Sequence, residues 1–123
     1  MPKKILVIED DATLQNAIRE ILKSGGYTVV SALTGEDGLR LAVAETPDLI
    51  LLDLVLPQKD GFEVLTKIRS TPEMNKVPVI VLTNLESSEE VERALSLGAY
   101  TYLVKLRYTL DEILEKVKKA LGD

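Results

Sequence analysis

Five short apolar runs, separated by segments of a different hydrophobic period, constrain this 123-residue chain more than any other feature. The runs cover residues 5–8, 27–30, 49–52, 79–82 and 102–104, and each is strand-length. Four are almost unbroken Val, Ile and Leu. A strand with one wet face alternates apolar and polar residues, whereas an unbroken run marks a strand covered on both faces. That pattern belongs to a parallel sheet held between two layers of helices.

The intervening segments carry the helical spacing that this arrangement requires. Leu14, Ala17, Ile18, Ile21 and Leu22 form one stripe, Leu39, Ala42 and Val43 a second, and Val64, Leu65 and Ile68 a third. Val91, Ala94 and Leu95 form the fourth, and Leu110, Ile113, Leu114, Val117 and Leu121 the fifth. Ser87-Ser88-Glu89-Glu90 and Thr109-Leu110-Asp111-Glu112 both match a capping box, in which a hydroxyl and an acid three residues later satisfy free amide donors. Gly25, Gly26 and Gly98 suit helix ends in the left-handed conformation. Strand and helix alternate five times, which predicts a doubly wound α/β sheet with right-handed crossovers. A chain of this length has material for one core, so the expectation is one domain over residues 1–123.

Composition removes much chemistry from consideration. Cysteine and histidine are both absent, which rules out thiolate and imidazole metal ligands, disulfides, and any nucleophile that needs a histidine base. Carboxylates, hydroxyls and lysine remain. The balance of 20 acidic and 15 basic residues, net −5, argues against direct nucleic-acid binding, which needs clustered positive charge. No apolar run approaches the ~20 residues of a membrane span, and residues 1–4 are too short for a signal peptide. A soluble, cytoplasmic chain without membrane insertion is expected.

In a parallel sheet all strand C-termini share one edge, so the residues after each run converge. The first run is followed by Glu9-Asp10-Asp11, the third by Asp53, the fourth by Thr83-Asn84 and the fifth by Lys105. Any single acid there reads equally well as a helix cap, and Asp11 is the best candidate for that role. Together, Glu9, Asp10 and Asp53 would stand within ~5 Å of one another, where each pair repels by ~3 kcal/mol at an effective dielectric near 20. A cation should balance them. Mg²⁺ suits such oxygen ligands, with Mn²⁺ as a second candidate, and it leaves positions for a phosphate oxygen. Thr83 and Lys105 could also hold that phosphate, with Asp53 as the nucleophile.

These residues resemble the response-regulator receiver family of two-component signalling over essentially the whole chain, from Lys4 to Leu121. Ile5-Leu6-Val7-Ile8-Glu9-Asp10-Asp11 is similar to the family's acidic first motif. Asp48-Leu49-Ile50-Leu51-Leu52-Asp53-Leu54-Val55-Leu56-Pro57, followed by Asp60-Gly61, is similar to its phosphoacceptor motif. The resemblance implies a CheY-like, flavodoxin-like (βα)5 fold with strand order 2-1-3-4-5. It implies Asp53 as phosphoacceptor, and Glu9, Asp10, Asp53 and the Val55 backbone carbonyl as metal ligands. Thr83, the Asn84 backbone and Lys105 would hold the phosphoryl group, and Thr83 and Tyr102 would form the switch. The implied donor is a phosphohistidine on a histidine kinase or phosphotransfer protein. The output would be a downstream protein that reads the fourth helix, fifth strand and fifth helix.

The chain departs from the family pattern at several positions. Leu106 follows Lys105 where a proline, often cis, is usual, which predicts a trans bond here because a non-proline cis bond costs about 2.5–4 kcal/mol. Asn84 is larger than usual and narrows access to the phosphoryl group. Val55 and Leu85 are apolar where relatives often carry polar groups near the attacking water, which predicts slow phosphoryl loss. Other functions compete with the phosphoacceptor reading. A Mg²⁺-dependent phosphatase with an aspartate nucleophile would need a second aspartate where Val55 stands. A binding module that needs no phosphorylation would tolerate these departures.

Overall fold

The computed structural model describes residues 2–123, so the first of residues 1–4 lies outside it. Five strands and five helices alternate: β1 (Lys4–Ile8), α1 (Ala12–Ser24), β2 (Thr28–Ala32), α2 (Gly35–Glu45), β3 (Leu49–Leu52), α3 (Gly61–Ser70), β4 (Val79–Thr83), α4 (Ser88–Ser96), β5 (Thr101–Val104) and α5 (Leu110–Leu121). One 3₁₀ turn, Lys105–Arg107, joins β5 to α5. The strands are all parallel in the order β2-β1-β3-β4-β5.

The unbroken apolar runs divide between two cores. Leu6, Ile8, Ile50, Leu52, Val79 and Val81 face Ala42 of α2, Phe62, Val64, Leu65 and Ile68 of α3, and Ala94 of α4. Their alternates Ile5, Val7, Leu49, Leu51, Ile80, Leu82 and Leu103 face Ile18 and Leu22 of α1 and Ile113 and Val117 of α5. The central strands therefore have no wet face, which removes the polar alternation from their sequence.

Both capping boxes form: Ser87 Oγ accepts from Glu90 N and Thr109 Oγ1 accepts from Glu112 N. Other expectations need correction. The second strand lies one to two residues later than its apolar run, because its register with β1 extends through Ser31 and Ala32 while Tyr27 turns its ring into the α1/α5 core. Val43 and Leu95 lie outside the buried stripes, at 48% and 45% exposed, since α2 buries Gly35, Gly38 and Ala42 instead, and α4 buries only Ala94. At the end of α1 the left-handed residue is Gly26 (φ 93°), not Gly25 (φ −82°); Gly98 (φ 103°) is left-handed as expected. All peptide bonds among the described residues are trans, including Lys105–Leu106.

Candidate phosphoacceptor site

The C-terminal ends of β1, β3, β4 and β5 surround a cavity of about 330 Å³ lined by Glu9, Asp10, Asp11, Asp53, Val55, Thr83, Asn84 and Lys105. Asp53 follows the fully buried β3 strand and is itself only 4% exposed. Its amide donates to Ile8 O at 3.0 Å, so the β1–β3 ladder carries its backbone to the edge. Oδ1 accepts from Val55 N at 3.1 Å and Oδ2 from Lys105 Nζ at 2.7 Å.

Glu9 is equally enclosed, at 2% exposed. Its Oε2 accepts from Asp11 N at 3.0 Å, and its Oε1 meets Lys105 Nζ at 2.6 Å. One ammonium thus bridges two buried carboxylates. Burial raises the Glu9 pKa and the charge of Asp53 adds to that, while Lys105 and the Asp11 amide pull the other way; the net direction is upward. For Lys105, burial acts to lower the pKa, but the hydrogen bonds and charges of Asp53 and Glu9 outweigh it and hold the amine protonated.

Asp10 is exposed, and one carboxylate oxygen from each of Glu9, Asp10 and Asp53 lies within 4.8 Å of the others. Asp11 is the α1 cap: its Oδ1 accepts from Thr13 N and Leu14 N. Thr83 is fully buried at the end of β4, and its Oγ1 accepts from Leu85 N at 3.5 Å. Asn84 stands exposed on the cavity wall.

Tyr102 is the one expected site residue that does not line the cavity. Its ring packs at the edge of the α2–α4 core and its hydroxyl donates to Leu85 O at 2.7 Å. Burial, with the charges of Glu90 and Asp53, raises its pKa to about 12. The hydroxyl is therefore a fixed donor that ties β5 to Leu85, in the loop that follows Thr83 at the end of β4.

Two contributors were not legible in the sequence as site residues. Gly61 packs its backbone so closely on the turn after β3 that a Cβ there would stand 2.3 Å from Leu54 Cα and 2.6 Å from Asp53 O. Its Asp60-Gly61 motif was visible, but the close approach was not. Gln15 of α1 donates from Nε2 to Glu9 O at 3.1 Å and to Ala32 O at 2.8 Å. No spacing rule marks a glutamine for that task.

The model of the response regulator receiver domain family matches residues 5–118. The chain belongs to the response regulator receiver family. Among curated relatives, this receiver is 36% identical over 121 residues to response regulator MprA of Mycolicibacterium vanbaalenii, an alignment that covers 98% of this chain and 51% of the relative. It is 43% identical over 101 residues to transcriptional regulatory protein AfsQ1 of Streptomyces coelicolor, covering 82% of this chain and 44% of that one. The receiver thus spans about half the length of these relatives. Solved structures agree on the fold. Chemotaxis protein CheY4 of Vibrio cholerae superposes with a TM-score of 0.92 at 26% identity, covering 98% of this chain and 100% of that one. A CheY-like receiver domain protein of Methanospirillum hungatei gives 0.90 at 32% identity, covering 99% and 95%.

The donor set of the receiver fits the hard divalent cation expected of the family. It offers three carboxylates and no nitrogen or sulfur ligand, and its acids converge from two strand ends with Asp10 open to solvent. Among the described residues no helix is long and apolar enough to cross a membrane.

Proposed function

We propose that residues 1–123 form one phosphoacceptor receiver domain that takes a phosphoryl group on Asp53 and presents a changed surface to a downstream protein. The observation that carries this reading is the Lys105 bridge, with Asp53 Oδ2 at 2.7 Å and Glu9 Oε1 at 2.6 Å, in a cavity that also holds Asp10 and Thr83. The donor is a phosphohistidine on a histidine kinase or phosphotransfer protein. An Asp53 carboxylate oxygen attacks phosphorus, the P–N bond breaks, and its electron pair stays on the leaving imidazole. The product is an aspartyl phosphate.

Glu9, Asp10, Asp53 and the Val55 carbonyl would hold Mg²⁺, which when bound offsets their charge and orients phosphoryl oxygens. Lys105 keeps its charge at the site and re-pairs with the phosphoryl group. Thr83 donates its hydroxyl to a phosphoryl oxygen and the Asn84 amide to another. Because Leu85 accepts from Tyr102 and donates to Thr83, movement of Thr83 toward the phosphoryl group is transmitted to β5. The added charge, roughly −2, then biases the surface of α4, β5 and α5. The receiver acts on no separate substrate. It works in the cytoplasm and needs no nucleic acid or membrane of its own.

A phosphatase is disfavoured because Val55, 54% exposed at the cavity mouth, offers no proton where a general acid is required. Intact mass after incubation with acetyl phosphate or phosphoramidate and Mg²⁺ tests the proposal. One phosphoryl addition is expected, absent in Asp53→Asn and in chelator. No addition by a folded chain with either donor would favour the binding module that needs no phosphorylation.

A further inference from the structure

We infer that Gln15 is a positioning residue for the divalent-cation site, acting through the peptide that joins Glu9 to Asp10; this rests on the proposed function. The Glu9 backbone is gripped at both ends. Its N–H donates to Ala32 O at 3.0 Å, and its C=O accepts from Gln15 Nε2 at 3.1 Å. The second Gln15 donor goes to the same Ala32 O at 2.8 Å, so one side-chain amide pins the end of β1 to the end of β2.

This matters most for Asp10. The Glu9 carboxylate has its own anchors, the Asp11 amide and Lys105. Asp10 is exposed, and its carboxylate is aimed by the peptide plane whose oxygen Gln15 holds. Gln15 itself is fixed, half-buried in the first turn of α1, where its backbone N–H donates to Asp11 O at 2.9 Å behind the Asp11 cap. A rigid helix start thereby sets the direction of a ligand two residues beyond the end of β1. Groups that support a metal ligand change affinity by roughly 10- to 100-fold when removed. Gln15 works through the peptide and not on the carboxylate, so the effect expected is about tenfold, at the lower end of that range.

Calorimetric titration of Mg²⁺ into wild type, Gln15→Met and Gln15→Ala is the test, with thermal melts in EDTA as the measure of folding. Methionine keeps the length but cannot donate, and alanine removes the side chain without strain in a helix. The expected result is a Kd for Mg²⁺ raised about tenfold in both variants, with the phosphorylation rate at saturating Mg²⁺ close to wild type. Should the methionine variant fail to fold, the alanine variant alone decides. A folded variant whose Kd stays within twofold of wild type overturns the inference and leaves the receiver reading intact. A wild-type chain that neither takes Mg²⁺ nor is phosphorylated overturns both.

Discussion

Lys105 shows how much one side chain can settle. Its side chain is 14% exposed, and its ammonium is shared by Glu9 and Asp53, whose side chains are 3% and 5% exposed. Lys105→Met leaves two like charges buried without a counter-ion, which destabilises such sites by about 3–5 kcal/mol. Chemical denaturation in EDTA should show a loss of about 3 kcal/mol, and added Mg²⁺ should recover part of it; an unchanged midpoint in EDTA would mean that the bridge contributes nothing net. Val55 and Leu85 act by what they lack. Both line a second hollow of about 480 Å³ beside the site, and neither can orient a water toward an aspartyl phosphate. Phosphoryl loss should be slow, and Val55→Asn with Leu85→Glu should speed it about tenfold or more, followed by intact mass over time. Equal lifetimes in the two proteins would refute the water argument. Glu9, Asp53 and Lys105 were visible in the sequence because each directly follows an apolar run, and Val55 and Leu85 because they depart from the family pattern. Gln15 was not, because its partners are backbone carbonyls of two strands that only folding brings together.

At the scale of elements, legibility followed locality. The capping boxes at Ser87 and Thr109 are closed by residues three positions apart, so sequence alone contains both partners. The end of β2 was misplaced because Ser31 and Ala32 owe their strand conformation to pairing with β1, not to their own apolar weight. Val43 and Leu95 fit a helical stripe yet face solvent, since which third of a helix is covered depends on its neighbours. The turn from β3 to α3 is the tightest joint near the site. Gly61→Ala would drive a Cβ against Leu54 Cα and Asp53 O, both backbone atoms that cannot step aside. A stability loss of about 3 kcal/mol, at the upper end for overpacking, is expected with slower phosphorylation, read by denaturation and mass. Wild-type behaviour in both would show that the turn has slack.

The whole molecule is also tied across its sequence extremes. Lys3 Nζ donates to Leu121 O and pairs with Asp123 at 2.8 Å, and the Tyr27 hydroxyl donates to Asp123 Oδ2 at 2.6 Å. Burial, with the Asp123 hydrogen bond and charge, raises the Tyr27 pKa from 10.0 to about 12, while Lys3 and Tyr27 lower that of Asp123. A raised pKa stabilises the fold fully below the unfolded value of 10.0, and this contribution fades as pH rises through about 12. The lowered pKa of Asp123 stabilises above the unfolded value of 3.8, and its contribution fades as pH falls through the folded value. Tyr27→Phe should therefore melt lower than wild type by a constant margin near neutrality. That margin should narrow above pH 10 and again in acid, as thermal melts across pH would show; a margin independent of pH would remove the hydrogen bond from the explanation.

The sequence by itself determined the α/β class, the two-sided burial of the central strands and the set of acids, hydroxyl and lysine at one sheet edge. Those follow from hydrophobic period and strand direction, which are local or shared by all parallel strands. Only the tertiary structure decided which carboxylates Lys105 bridges, where Tyr102 sends its hydroxyl, and that Gln15 holds the Glu9–Asp10 peptide. Such contacts join residues as far apart as Asp53 and Lys105, and their geometry depends on register and packing that no single segment carries.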